Sequence, residues 1–156
     1  MILTIHDIVS LSGLTRAQIN LLISRYGVGV WGRADSGEGR NFEPVDAFNF
    51  CVAGALYRLG LRQPKIRTAL GAMPLVRLDG TTGQPAAFPE CAGVAANSVL
   101  VFTPDGSLTP DNLDLSCSVT NWEGVARLQP NGLEALVVDA GSIIRKIQLR
   151  QRGDRK

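Results

Sequence analysis

The side chains with the clearest chemical potential lie near the start of one predicted helix, where Arg16, Gln18 and Asn20 follow Thr15. An arginine can donate two hydrogen bonds to a guanine edge, and glutamine or asparagine amides pair a donor with an acceptor as an adenine edge requires. The N-terminal residues of a helix in the major groove reach such edges. This spacing therefore predicts contact with double-stranded DNA, and a solvated helix surface is the alternative interpretation.

Two short helices are expected to position these residues. The first spans residues 4–12, where Thr4 can cap the N-terminus and Gly13 ends the helix. In the second, Thr15 and Gln18 have capping-box spacing, and the backbone N–H of Thr15 is a candidate donor to a phosphate. Two short helices joined by a tight turn that contains glycine are typical of the helix-turn-helix motif.

A polar, glycine-rich segment at residues 32–39 separates two short extended stretches and predicts a β-hairpin. Arg33 lies in this segment and Arg40 follows it. A basic hairpin of this kind can track the phosphate backbone or enter the minor groove. Ion pairs with the acidic residues of the same hairpin, Asp35 and Glu38, are the alternative interpretation.

Two further helices are predicted at residues 45–59 and 64–73, and Pro44 suits the first position of the earlier one. Lys65 and Arg67 lie near the start of the later helix. They are candidates for phosphate contacts, and a plain exposed surface is the alternative interpretation.

The order helix, turn, helix, hairpin, helix, helix resembles the winged helix-turn-helix of the MerR type. The resemblance covers residues 3–70 and is carried by segments 3–9, 12–15, 15–19, 39–42, 57–61 and 66–67. It implies a DNA-binding domain in which Arg40 and Asn41 lie on the returning strand of the wing. The family normally continues into a long coiled-coil helix, whereas residues 75–139 have no helical heptad pattern.

The second half of the chain has short apolar stretches, rich in valine and leucine, that are interrupted by turn signals. These predict strands at residues 76–78, 98–103, 115–121, 125–129 and 134–139. Residues 140–152 are predicted to form a final helix, with a strand as the alternative. The predicted fold is α+β, with a winged helix-turn-helix of four short helices and a β-hairpin over residues 1–74. A small β-rich domain over residues 75–156 follows and ends in a basic helix or tail.

The distribution of charge and the cysteines indicate which partners and which cellular compartment to expect. The net charge is +3 over residues 1–75, −6 over residues 76–144 and +5 over residues 145–156, so only part of the chain is expected to meet a polyanion. The cysteines are odd in number, lie far apart and lack metal-ligand spacing, which predicts reduced thiols at Cys51, Cys91 and Cys117. With neither a signal peptide nor a membrane span in the sequence, a cytoplasmic location is expected.

Catalysis is not expected from this sequence. The single histidine, His6, lies in the first turn of the first predicted helix, without a nucleophile at suitable spacing. The carboxylates of the acidic middle have no metal-binding spacing, and the glycines form no phosphate-binding motif. Neither a catalytic residue nor a metal or cofactor is therefore predicted.

These observations favour a sequence-specific regulator of transcription from a bacterium or a phage. A homodimer on a palindromic site is expected, because one small helix buries too little surface to bind DNA tightly alone. RNA polymerase is a candidate partner. One alternative is an excisionase-like architectural factor that bends DNA beside a recombinase. The other is an adaptor whose winged helix binds a protein.

Overall fold

The computed structural model describes residues 3–26, 41–73, 97–104, 115–128 and 135–153. These residues form a mixed structure of helices and sheet, which agrees with the predicted α+β class. In chain order, the elements are α1 (Ile5–Ser12), α2 (Arg16–Tyr26), α3 (Pro44–Arg58), α4 (Gln63–Ala72), β1 (Val99–Pro104), β2 (Leu115–Thr120), α5 (Trp122–Leu128), β3 (Leu136–Val138) and α6 (Ala140–Gly153).

Local hydrogen bonds fix the first two helices as the sequence predicts. At the start of α1, the backbone N–H of Thr4 donates to Asp7 Oδ2 at 2.9 Å, and the N–H of Asp7 donates to Thr4 Oγ1 at 3.3 Å. Gly13 ends α1 with a left-handed φ of 72°, a conformation in which a side chain is strained. Thr15 and Gln18 then form the second predicted capping box at the start of α2.

Helix α3 is the centre of the helical part, and it contacts α1, α4, β3 and α6. Pro44 occupies its first turn, as predicted, and the N–H of Glu43 donates to Asp46 Oδ2 at 2.8 Å. Gly54 lets the end of α1 lie directly on this helix, because a Cβ there would be 2.2 Å from the carbonyl oxygen of Ser12. The backbones of α1 and α3 are therefore in close contact.

The three strands form one antiparallel sheet in the order β2-β1-β3. In the register, Val101 of the central strand pairs with Ser118 of β2 on one side and with Val137 of β3 on the other. Residues 99–102 are buried, as expected of a central strand of a covered sheet. After β3, Asp139 accepts hydrogen bonds from the N–H and the hydroxyl of Ser142 and so marks the start of α6.

One strand prediction is wrong. Residues 125–129 were expected to be extended, but residues 122–128 form α5. The cause is local: Asn121 Oδ1 accepts the N–H of Gly124 at 2.8 Å and starts a helical turn, and Glu123 pairs with Arg127 four residues later. Of the two alternatives for residues 140–152, the helix is the one found.

One hydrophobic core is built from residues of α1 to α4, the sheet and α6. It includes Ile8 of α1, Phe50 of α3, Phe102 of β1 and Ile147 of α6, all with 0% exposure. The predicted domain boundary at residue 74 therefore separates two stretches of sequence whose side chains share a core. The predicted strand at residues 76–78 and the glycine-rich segment of the predicted hairpin lie outside the described residues.

Candidate nucleic-acid interface

Helix α2 has an apolar side that packs inward and a polar side that does not. Ile19 and Leu22 are 0% and 1% exposed, and the helix contacts α1 and α4. Arg16 and Asn20 are exposed and lie one helical turn apart, so they share a face. The structure therefore brings together two of the residues that the sequence predicts to contact DNA.

Thr15 and Gln18 also lie at this end of α2, but their polar groups already bind each other. The N–H of Thr15 donates to Gln18 Oε1 at 2.8 Å, and the N–H of Gln18 donates to Thr15 Oγ1 at 3.2 Å. The N–H of Thr15 is thus engaged by Gln18, although the sequence suggested it as a donor to phosphate. Gln18 retains its amide N–H₂ as a donor, whereas using its oxygen as well on an adenine edge requires opening the cap.

The other predicted contact residues are more scattered. Asn41 is exposed and precedes Phe42, which is buried and exchanges two 2.8 Å backbone hydrogen bonds with Leu3. Lys65 is half-buried on α4, the helix that contacts α2. Arg33 and Arg40 lie outside the described residues.

Two arginines bind the two ends of α1. The sequence did not indicate this role for either of them. Arg150 of α6 donates from Nε and Nη2 to Asp7 Oδ1, at 3.0 and 2.6 Å. Arg58 of α3 donates from Nη1 to the carbonyl oxygen of Ser12 at 2.9 Å. Since α2 follows α1 after a short turn, these contacts help to set the orientation of α2 relative to the core.

The electrostatics of Asp7 agree with this positioning role. Burial acts to raise the pKa of Asp7, but hydrogen bonds from Thr4 and from Arg150, with the charge of Arg150, outweigh it. The pKa of the carboxyl therefore lies below its ordinary value of 3.8. No sequence signal could have paired Asp7 with Arg150, because 143 positions separate them.

The described cysteines are free thiols that burial makes hard to ionise. Burial raises the pKa of Cys51 to about 12, against the opposing charges of Lys146 and Arg58, and it raises the pKa of Cys117 to about 11. Cys91 lies outside the described residues. Within the ranges that the structure describes, no three His, Cys, Asp or Glu side chains are grouped to hold a metal ion.

Comparison of the chain with protein-family models and with curated proteins finds no match. Over the residues that the structure describes, helices long and apolar enough to cross a bilayer are absent.

Proposed function

We propose that this chain binds double-stranded DNA at specific sequences and acts as a regulator of transcription. In this proposal α1, the turn at residues 13–15 and α2 form a helix-turn-helix, and residues 28–42 supply the wing of a MerR-like domain. The observation that carries it is the face of α2, where Arg16 and Asn20 are exposed one turn apart over a buried apolar side.

The proposed contacts follow from the chemistry of each side chain. Arg16 donates to a guanine edge, and Asn20, with its amide donor and acceptor, pairs with an adenine edge. Gln18 donates from its amide nitrogen while its oxygen keeps the cap of α2. Lys65 on the neighbouring α4 contacts a phosphate, which positions the helix without selecting a sequence.

A homodimer is part of this proposal, because one helix of this length supports only a few base contacts. Two copies related by a twofold axis place two α2 helices on half-sites of a palindrome, about one helical turn of DNA apart. The affinities of the half-sites then combine, which lets a short helix reach specific binding at physiological salt.

The test is selection of a preferred duplex from a randomised pool, followed by fluorescence anisotropy with wild type and Arg16→Ala. If Arg16 contacts a guanine, the variant loses about 1–3 kcal/mol of specific affinity, or about 5- to 150-fold. Arg127→Ala is the matched control, because Arg127 is exposed on α5 and pairs with Glu123 of the same helix. Equal affinity of both variants for the selected duplex contradicts the assigned role of Arg16.

Salt dependence separates the proposal from its alternatives. Phosphate contacts release counterions, so the affinity of wild type falls steeply with salt, and Lys65→Ala reduces the slope of that fall by about one unit. Binding without sequence preference, accompanied by bending of the duplex, favours the architectural factor. If the protein shows no salt-sensitive affinity for DNA, this result favours the alternative of a protein-binding adaptor and contradicts the proposal.

A further inference from the structure

A cleft of about 300 Å³ lies between α3, β3 and α6, beside the end of α1. Its apolar walls include Leu11, Ala55 and Ile143. Its polar groups include Arg58 from α3, Lys146 from the middle of α6 and Asp139, the residue before α6. This size falls at the lower end of small-molecule sites, which enclose roughly 300–1,000 Å³.

The charged groups of the cleft differ in how they are engaged. Both oxygens of Asp139 accept hydrogen bonds from Ser142, so this carboxylate serves the start of α6. Among the described residues, no carboxylate pairs with Arg58 or with Lys146. The walls thus present two cations that lack an anionic partner in this part of the structure.

We propose that this cleft binds a small organic carboxylate, with its apolar body on the walls and its carboxylate at Lys146 and Arg58. A guanidinium carries several donors in a fork that suits a carboxylate, so Arg58 can hold both the ligand and the carbonyl of Ser12. The burial of Cys51 at the same cleft keeps its thiol neutral, so Arg58 and Lys146 outweigh the single carboxylate of Asp139 and the walls keep a net positive charge.

Through Arg58, a ligand in the cleft can affect the orientation of α2. This inference rests on the proposed function, in which α2 binds DNA. Its guanidinium holds the last carbonyl of α1, directly before the turn that leads to α2. A ligand that shares this guanidinium acts on the contact that orients α2. The site is therefore suited to an effector of DNA binding.

The experiment uses the full-length protein without DNA, and benzoate, neutral benzamide and cationic benzylamine as probes at constant ionic strength. In NMR titrations, benzoate is expected to give saturable shifts of the Val138 and Ser142 amides, and the other two probes are not. Lys146→Gln is expected to weaken benzoate binding about tenfold, as for a lost hydrogen bond to a charged group. Arg152→Gln, on the same helix but outside the cleft, is expected to leave it unchanged.

Three results overturn the proposal: shifts that do not saturate, benzamide or benzylamine binding as tightly as benzoate, or equal effects of the two α6 variants. Ala55→Leu fills the cleft and is expected to abolish the benzoate shifts while the remaining amide spectrum stays native-like. Retained benzoate binding in this variant also contradicts the location. Arg16→Ala leaves benzoate binding intact, so failure of this proposal and failure of the proposed DNA contact are distinguishable.

Discussion

Replacing Gly54 by alanine tests the close packing of α1 on α3. In an ordinary helix interior this substitution is stabilising by about 0.8–1 kcal/mol, because glycine has more backbone entropy to lose. At Gly54 the new Cβ would lie 2.2 Å from the carbonyl oxygen of Ser12 and 3.1 Å from its carbon. A carbon and an oxygen need roughly 3.3 Å, so the end of α1 has to retreat by about 1 Å.

The expected size of the effect follows from three contributions. Overpacking of this kind costs about 1–3 kcal/mol. Loss of the hydrogen bond from Arg58 to Ser12, which spans the same contact, costs a further 0.5–1.5 kcal/mol or so, roughly the net value of one hydrogen bond. After subtraction of the helix-propensity gain of about 0.8–1 kcal/mol, Gly54→Ala is expected to lower the free energy of unfolding by about 0.5–3.7 kcal/mol.

The assay is urea unfolding followed by circular dichroism, with Gly71→Ala as the matched control. Gly71 is also helical, but a Cβ there meets nothing within 4 Å, so this variant is expected to equal or exceed wild type in stability. The difference in unfolding free energy between the two Gly→Ala variants then reports the contact of Gly54 with the end of α1. A Gly54→Ala protein as stable as Gly71→Ala would refute the argument that the two helix backbones touch.

Other perturbations have equally direct outcomes. Thr15→Ala removes the cap of α2 and is expected to cost about 1 kcal/mol in urea unfolding, a loss that an exposed control such as Ser24→Ala should lack. Arg150→Gln is expected to destabilise the protein at neutral pH. Because the pKa of Asp7 is lowered in the folded protein, the ionised carboxyl stabilises the fold at pH values above its ordinary pKa, and this stabilisation is lost as the pH falls through the folded pKa. The loss of unfolding free energy in Arg150→Gln should therefore become smaller in acid. A loss of the same size at every pH contradicts the pairing of Arg150 with Asp7. Cys51, with a pKa of about 12, is expected to resist alkylation by iodoacetamide at pH 8 until urea unfolds the chain. Peptide mass spectrometry measures the alkylation, and fast alkylation of the native protein would contradict the burial of Cys51.

The helix termini could be predicted from the sequence because their determinants lie within a few residues. Thr4 with Asp7, and Thr15 with Gln18, form hydrogen bonds whose spacing is visible in the sequence itself. The same kind of local bond explains the error at α5, where Asn121 starts a helical turn that outweighs the apolar pattern of the following residues.

The tertiary contacts could not be predicted in the same way. The exposed side of α2 is a partial exception, because its polar residues Arg16 and Asn20, which the sequence places on one face, are the ones that the structure exposes. The bond of Arg58 to Ser12, the pairing of Arg150 with Asp7 and the cleft all join residues that are distant along the chain. Their partners depend on how the layers pack, for which a single sequence carries no periodic signal.

The shared core limits how the chain can be recombined. Helix α3 packs on α1 with one part of its surface and on α6 and β3 with others. The N-terminal segment therefore cannot be exchanged without the C-terminal elements that it packs against. A chimera that joined residues 3–73 to a foreign C-terminal half would leave apolar α3 surface in water, at roughly 25 cal/mol per Å², and would leave Asp7 without its guanidinium partner. Gene fusions that exchange the two halves independently should therefore fail unless the surface of α3 is redesigned with them.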